Sequence, residues 1–498
     1  MRRISSARST TSSLLFALLF LALATSAARR PRYGGTLTID LQGRVTSLDP
    51  AQKQGSVADQ IAQERLLRLI ADRLVDLDQF GQPRPSLAVF WGHDDRFEQW
   101  WFGVRPNLKF QDGTPVNVET IVLLLRVAYP DWKINSGLLN IGTLKEDLIF
   151  ITASTPVPDM PFILAEPRNS ILLRKPDGSV VGTGPFRLTT WGPGRHAVFA
   201  ANDDYWAGRP FVDSIDVQMG RTVRERMIDL DLGKADIADV APDRARIDAS
   251  RGVKISASDP TELVALIFLR SSTRTKDIRI RQALSLAIDR SSLVDFVLQK
   301  EGAPAGAFLP QWSSGYEFLF STEPDSATAR QFASQISPAH VLRLGYDADD
   351  PIERMIAERI AVNAQAAGIS ISARAISVDS PGGITNRAAN HAANVSEYDA
   401  RIVRLPMTSP APGVALGNFL QTFAQLADFD PSLAAPLNDP ANPEQLYSRE
   451  RAVVDTYEVV PLVHVPEVLG LSTRVRDWVP ARWGAWHLAD IWLDGAAQ

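Results

Sequence analysis

The glycine-rich stretch VVGTGPFRLTTWGPG, residues 180–194, is the first candidate for chemistry in this 498-residue chain. A loop that holds a phosphate turns backbone N–H groups toward the anion and leads directly into a helix. Here Pro185 follows Gly184 and removes one N–H, and the next residues, FRLTTW, alternate like a strand. The pattern therefore predicts a β-hairpin entered through a tight bend, and a structural role for the glycines.

Histidines are the next candidates, since they bind metals and move protons. The chain has six: His93, His196, His340, His391, His464 and His487. No two of them stand at helical spacing from each other, so the sequence predicts no metal site. The run DLDQFG, residues 76–81, begins like a calcium loop but lacks the later ligands, and it predicts a turn. The chain also lacks a G-x-S-x-G elbow, a Walker loop and the kinase motifs, so no catalytic residue and no cofactor are predicted.

The charge balance excludes one class of partner. The chain has 52 Lys and Arg against 57 Asp and Glu, a net charge of −5, which offers no general attraction to nucleic acid. The sequence begins MRR, continues with the apolar run LLFALLFLALA at 14–24, and then has small residues. This order predicts a signal peptide over residues 1–28, with an uncleaved anchor as the alternative.

Cysteine is absent from the chain. The absence excludes disulfides, thiolate metal sites and a lipidated cysteine after the signal. We therefore expect a protein that is exported to the bacterial periplasm and is free there rather than a lipoprotein.

Strand and helix patterns alternate along the chain. Residues 34–42 read as a strand, residues 117–129 as a helix, and residues 221–238 as an amphipathic helix with a short strand after it. Residues 341–376 read as a strand–helix–strand unit, in which Gly368 ends the helix. Two stretches, 377–394 and 406–417, read as loops within a domain. The fold class predicted is α/β with mixed sheets.

Residues 182–217, GTGPFRLTTWGPGRHAVFAANDDYWAGRPFVDSIDV, resemble the signature of the extracellular solute-binding proteins of family 5, the peptide-, oligopeptide- and nickel-binding receptors of ABC importers. Four further stretches resemble the family in the expected order: 34–52, 104–125, 277–294 and 458–478. The segment between residues 129 and 172 is short for the family, which implies a trimmed second domain.

The resemblance implies a two-lobed periplasmic-binding-protein fold of the larger, three-domain kind (class C, type II-like). Domain I would comprise residues 33–62, 178–262 and 466–498, domain II residues 63–177, and domain III residues 263–465. Domains I and II would form one lobe and domain III the other, with the ligand enclosed between them when the lobes close.

The resemblance also implies which segments border the cleft: 42–48, 398–410 and 461–465. The ligand-binding residues expected on this basis, together with the tryptophan at the hairpin tip, are Arg44, Trp191, Arg404, Leu405, Met407, Thr408 and His464. Peptide-binding relatives commonly place a carboxylate and a tryptophan near the middle segment, but RLPMTS at 404–409 has neither. We therefore expect a ligand with an anionic group, held by the guanidinium forks of Arg44 and Arg404. For His464, a hydrogen-bonded position in the core is the alternative.

These features predict a monomeric, non-enzymatic periplasmic receptor. It would capture a short peptide or related small molecule and deliver it to an ABC permease in the inner membrane. Two alternatives remain: an exported hydrolase or transferase that uses dispersed carboxylates, and a receptor of the same fold that serves chemoreception or scavenging.

Overall fold

The computed structural model describes residues 30–495 except for a set of gaps. The gaps are 53, 129–132, 135–136, 146, 242–243, 246–248, 250–252, 317–319, 337–340, 349, 377–396, 435–436, 438, 440–441, 481 and 483–485. The predicted signal peptide, the predicted loop at 377–394 and two of the histidines, His340 and His391, lie outside the described residues.

Helices and strands alternate through the described residues. The α-helices are α1 (Val57–Ile70), α2 (Val118–Ala128), α3 (Met160–Leu164), α4 (Val223–Asp231), α5 (Ile278–Ala287), α6 (Arg290–Ser292), α7 (Gln311–Ser314), α8 (Ser326–Ser334), α9 (Pro351–Ala366), α10 (Pro412–Leu426) and α11 (Pro443–Val454). The strands are β1 (Thr36–Asp40), β2 (Val75–Leu77), β3 (Pro83–Pro85), β4 (Ala88–His93), β5 (Gln99–Val104), β6 (Lys133–Ile134), β7 (Gly137–Lys145), β8 (Leu148–Ala153), β9 (Leu172–Arg174), β10 (Val180–Gly182), β11 (Phe186–Gly192), β12 (His196–Ala201), β13 (Ser214–Gln218), β14 (Ile237–Asp239), β15 (Lys254–Phe268), β16 (Ala303–Pro304), β17 (Leu342–Asp347), β18 (Ile371–Ile376), β19 (Ala400–Pro406), β20 (Val459–Leu471), β21 (Val475–Arg476) and β22 (Trp492–Leu493).

The largest sheet of the described residues has eleven strands in the order β11-β12-β13-β1-β14-β20-β15-β19-β17-β18, with β16 paired to β20. Strand β1 runs parallel to β13 and β14, and β17 runs parallel to β18 and β19, whereas the other pairs are antiparallel. A second sheet, β4-β5-β8-β7-β6, is antiparallel throughout. The α/β class with mixed sheets is thus confirmed.

Two long strands, β15 and β20, connect the halves of the large sheet. The start of β15 pairs with the end of β20, and the end of β20 also pairs with β14 in lobe one. The second half of β15 pairs with β19 in lobe two. Between these parts the register shifts around Pro260, which lies opposite Pro466. Because proline donates no backbone N–H, the ladder is interrupted at this pair. The chain therefore has two lobes, lobe one around β1 and β11–β14 and lobe two around β17–β19, joined by the crossing strands.

Strand β15 contributes to both faces of the sheet in lobe two. Residues 263, 265 and 267 pack with α10 and α11 on one face, and residues 264, 266 and 268 pack with α5 and α9 on the other. This arrangement follows from the alternating directions of successive side chains on a strand. Lobe one has separate cores, including one around α1 and β1 and one around the second sheet.

The Gly-Thr-Gly bend packs against the carboxyl end of α1. A Cβ atom on Gly182 would overlap the carbonyl oxygen of Ile70, and one on Gly184 would overlap the backbone of Ile70 and Ala71. The Gly184 N–H donates to the Ile70 carbonyl at 2.9 Å. Only glycine permits such a close approach of two backbones, so the structural role predicted for these glycines is confirmed.

A half-buried carboxylate, that of Asp72, holds the same corner together. Asp72 accepts hydrogen bonds from the Thr183 hydroxyl, the Tyr205 hydroxyl and the Trp206 indole N–H, each at 2.9 Å. Burial raises the pKa of Asp72 to about 6 against the effect of these three donors. Tyr205 and Trp206 thereby anchor the turn after the hairpin.

One local prediction is wrong. Residues 406–417 read as a loop because of their closely spaced prolines, but α10 begins at Pro412 within this stretch. Proline is well tolerated in the first turn of a helix, where its missing N–H would have no partner. The predicted end of the helix in the strand–helix–strand unit is confirmed, because Gly368, with a φ of 82°, follows the end of α9. The Asp350 carboxylate caps the start of the same helix.

Candidate functional site

A cavity of about 660 Å³ lies between the two lobes. Its walls come from α1, α4, the segment after β14 and the end of β20 in lobe one, and from the start of α9 and the end of β19 in lobe two. Its charged lining residues are Glu64, Arg65, Arg68, Arg224, Asp231, Asp239, Arg244, Glu262, Asp350, Arg404 and Glu467. The site therefore combines five arginines with six carboxylates, one negative charge in excess.

On the wall of lobe two, Arg404 lies between two carboxylates. Its Nε and Nη2 atoms bond the two oxygens of Glu262, the Nη2–Oε2 distance being 2.7 Å, and its Nη1 donates to Asp350 Oδ2 at 2.7 Å. The pairing of β15 with β19 brings Glu262 beside Arg404, and Asp350 stands there because its other oxygen caps α9. Burial alone would lower the pKa of Arg404, but the two carboxylates raise it well above its usual value. We call these three residues the lobe-two triad.

Arg65 has the corresponding position in lobe one. Its Nη1 donates to Asp239 Oδ1 at 2.5 Å, and its Nη2 bonds Glu467. The guanidinium carbon lies 4.1 Å from the ring centroid of Trp486, whose indole N–H also contacts Glu467. Burial raises the pKa of Glu467, against the effect of Arg65. In this lobe-one triad, as in the lobe-two triad, one arginine faces two carboxylates, so each triad carries a residual negative charge.

Three further arginines line the cavity outside the triads: Arg68, which pairs with Glu64 and Asp76, and Arg224 and Arg244. Arg224 on α4 is exposed and Arg244 is half-buried. Within the described ranges, neither has an ion-pair partner within salt-bridge distance. Among the residues that the structure describes, the lining thus has positive charge without an ion-pair partner on lobe one and residual negative charge at the two triads.

Of the residues that the sequence singles out, Arg404 and Met407 line this cavity. Leu405 follows Arg404 on the strand, so its side chain points to the opposite face and packs into the core of lobe two. The Thr408 hydroxyl accepts a hydrogen bond from Asn418 Nδ2 at 2.6 Å, and the same amide donates to Glu166 at 3.0 Å. Thr408 therefore lies at a contact between the lobes and outside the cavity lining.

The other three residues lie away from the cavity lining. Arg44 is exposed, with its side chain against Gly220, and Trp191 packs on the core around β1. His464 is 6% exposed, and its Nε2 lies 3.0 Å from the Phe308 carbonyl oxygen. Burial lowers the pKa of His464 to about 4. Its surroundings match the alternative of a hydrogen-bonded core histidine.

Sequence reasoning missed most of the charged lining. Arg65, Asp239, Glu262 and Glu467 come together from four distant segments, and none belongs to a local motif. The sequence YDADDP marks Asp350 only as a possible helix cap. It does not show that the second carboxylate oxygen of Asp350 pairs with an arginine. Strand pairing alone brings Glu262 beside Arg404.

Among curated proteins, the chain is similar to the probable D,D-dipeptide-binding periplasmic protein DdpA of Escherichia coli, with 26% identity over 47% of this chain and 49% of the relative. It is also similar to the periplasmic oligopeptide-binding protein OppA of Salmonella typhimurium, with 23% identity over 64% of each chain. The chain thus spans about half to two thirds of the length of these relatives. Among solved structures, the Escherichia coli murein tripeptide binding protein MppA has a TM-score of 0.77 at 16% identity, covering 92% of this chain and 98% of MppA.

The model of the bacterial extracellular solute-binding proteins, family 5, matches residues 82–426. The chain belongs to this family. The membership confirms the resemblance seen in residues 182–217, and the similarity to MppA confirms the two-lobed fold. The interlobe cavity therefore occupies the place where a two-lobed binding protein encloses its ligand.

No helix of the described residues combines the length and the apolar character that a membrane crossing requires. Over the same part of the chain, histidines and carboxylates do not gather into a group of three or more that could hold a metal ion.

Proposed function

We propose that this protein is a non-enzymatic periplasmic receptor that captures a short zwitterionic peptide, or a solute of similar size and charge, in the interlobe cavity. It delivers the ligand to an ABC permease of the inner membrane. The observation that carries this proposal is the cavity itself. It has a largely buried triad with residual negative charge on each lobe and, on lobe one, arginines without an ion-pair partner among the described residues.

The triads suit a protonated amine. An ammonium group has three donors and can contact carboxylates of both triads when the lobes approach. Glu262 and Glu467 lie on the crossing strands beside the proline pair, so an amine between them would link the two lobes next to the hinge. A ligand that contacts both lobes favours the closed state, because only that state makes both sets of contacts.

Arg224 and Arg244 suit the carboxylate end of the same ligand. In this assignment Arg224 and Arg244, rather than Arg44 and Arg404, bind the anionic group of the ligand that the sequence led us to expect. In Arg404 both the fork and Nη1 already bond carboxylates, and Arg44 stands outside the lining. Unpaired guanidiniums remain able to bind a carboxylate in two-point fashion.

The size of the cavity and the relatives support the same ligand class. A volume of about 660 Å³ falls within the range of roughly 300–1,000 Å³ that is usual for sites enclosing small ligands. The relatives are named for a dipeptide, oligopeptides and a tripeptide, and as binding proteins rather than enzymes. The proposal retains a monomer, export by the signal peptide at 1–28, and the division into domains I, II and III given above.

The test is isothermal titration with a library of dipeptides and tripeptides, followed by two modified forms of any peptide that binds. Acetylation of the amino terminus removes the ammonium, and amidation of the carboxyl terminus removes the carboxylate. We expect each change to weaken binding by about tenfold or more, since a hydrogen bond to a charged group contributes roughly 1.5–3 kcal/mol.

Variants assign the two ends of the peptide to the two groups. The double variant Glu262→Gln with Asp350→Asn should weaken binding of the parent peptide but leave the affinity for the acetylated peptide unchanged. Arg244→Gln should weaken binding of the parent peptide but leave the affinity for the amidated peptide unchanged. Arg195→Gln is the control, because Arg195 is exposed and does not line the cavity. The proposal fails if no peptide binds, or if acetylation and amidation leave the affinity unchanged.

A further inference from the structure

A second cavity, of about 400 Å³, lies within lobe one. Its walls come from the segment after α1, from the turn at residues 205–211 and from residues 486–490. Arg68 and Trp486 line both cavities, and the remaining lining is separate. We propose that this second cavity binds a small oxyanion, either inorganic phosphate or a carboxylate, through Arg73.

Arg73 has an empty guanidinium fork. The residue is 3% exposed, and its Nε and Nη2 atoms have no hydrogen-bond partner among the residues that the structure describes. In this protein the same two atoms of Arg404 bond both oxygens of Glu262, and those of Arg174 bond both oxygens of Asp49 at 2.7 and 2.6 Å. A fork of this geometry matches the spacing of two oxygens on a carboxylate or phosphate.

A second donor in the same cavity lacks an acceptor. Arg84 Nη2 lies 3.1 Å from Nδ1 of His487. Because a guanidinium can only donate, Nδ1 is the acceptor, and the ring proton of the neutral imidazole is on Nε2. That Nε2 atom is buried and has no partner within the described ranges. Arg73 and His487 therefore both line this cavity and both have donors without an acceptor among the described residues, and a shared anion would accept from both.

The carboxylates of this cavity do not supply that acceptor. Asp72 accepts from Thr183, Tyr205 and Trp206, and Asp76 pairs with Arg68 at 3.0 Å and with Arg84 at 2.6 Å. The last acid, Asp490, is exposed.

The two fork atoms of Arg73 are themselves shielded from water. Binding therefore includes a rotation of the guanidinium toward the adjoining space. Side chains change rotamer on fast timescales when the neighbouring space permits it, and the cavity of about 400 Å³ beside Arg73 supplies that space.

The test is the thermal unfolding midpoint of the full chain, measured while sodium phosphate or sodium acetate is titrated at constant ionic strength set with sodium chloride. The two titrations separate an inorganic ion from a carboxylate. An ion present at ten times its Kd favours the folded state by about 11-fold in the unfolding equilibrium. We expect phosphate, acetate or both to raise the midpoint of the natural chain and of Arg195→Met, but not that of Arg73→Met.

A second variant keeps the test decisive if Arg73→Met does not fold. Arg73→Lys retains the buried charge but loses the fork, and we expect it to weaken anion binding by about tenfold. The proposal is overturned if neither anion raises the midpoint of the natural chain, or if the rise persists unchanged in Arg73→Met or in Arg73→Lys. Peptide titrations of the same variants report separately on the interlobe cavity.

Discussion

Arg404 and Arg44 satisfy the same sequence criterion, a guanidinium on a segment expected to border the cleft, yet their surroundings differ. Arg404 is half-buried between two carboxylates, whereas Arg44 is exposed against Gly220. Sequence shows the residue type but not which charges stand next to it. The number of acids around such an arginine decides what its surroundings can bind. An arginine without an acidic neighbour can bind an anion, whereas Arg404, with Glu262 and Asp350 beside it, belongs to a group with negative charge in excess.

His464 gives the residue-scale prediction. Its folded pKa is about 4 against an ordinary value of 6.5, so between these pH values the unfolded chain binds a proton that the folded chain does not. Stability is therefore lost as the pH falls from about 6.5 to about 4, by roughly 3 kcal/mol for this residue. We expect His464→Gln to lose less stability over this interval, as measured by urea unfolding at a series of pH values.

His93→Gln is the control, because it removes an imidazole that is exposed rather than buried. His487 has the same direction of shift and remains in all of these proteins, so part of the slope persists. An unaltered slope in His464→Gln would contradict the burial of a neutral imidazole at this position. Unchanged peptide affinity would agree with its place outside the cavity lining.

At the scale of elements, hydrophobic periodicity and end signals in the sequence predict the positions of individual helices and strands. The helix at Pro351–Ala366 and the strands on either side follow from hydrophobic periodicity and end signals, and all three lie within the unit predicted over residues 341–376. The large sheet cannot be obtained in this way. Its order depends on pairings such as that of β15 with β19, which lie far apart along the chain, and these pairings also build the lobe-two triad.

The bend before β11 gives the element-scale prediction. Gly182→Ala places a Cβ atom on the Ile70 carbonyl at the end of α1, and the backbone there cannot move aside without disturbing the Asp72 corner. We expect a loss of about 1–3 kcal/mol or more in the free energy of unfolding, measured by urea denaturation. Gly142→Ala is the matched control, since Gly142 is also on a strand and a Cβ there would meet nothing within 4 Å. Equal effects in the two variants would contradict the close packing of the bend.

At the scale of the whole molecule, the strands that cross between the lobes also carry residues of the cavity lining. Strands β15 and β20 are the continuous covalent and hydrogen-bonded link between the lobes, and their pairing is broken near Pro260 and Pro466. The two triads stand on either side of the cavity close to this break. A change of backbone angle at the break would alter the distance between the lobes while each lobe keeps its own core.

The last prediction concerns that motion. The chain has no cysteine, so spin labels can be attached at cysteines introduced singly on each lobe, at the exposed positions of Arg195 and Arg330. Adding a peptide that binds should shorten the distance between the labels and narrow its distribution, because the ligand favours the closed state. The same peptide at the same concentration should have a smaller effect when Glu262→Gln and Asp350→Asn are also present, since one of the two triads has lost its residual charge. A distance that stays the same in the presence of saturating peptide would show that binding does not depend on closure, and the residual charges would then act within one conformation.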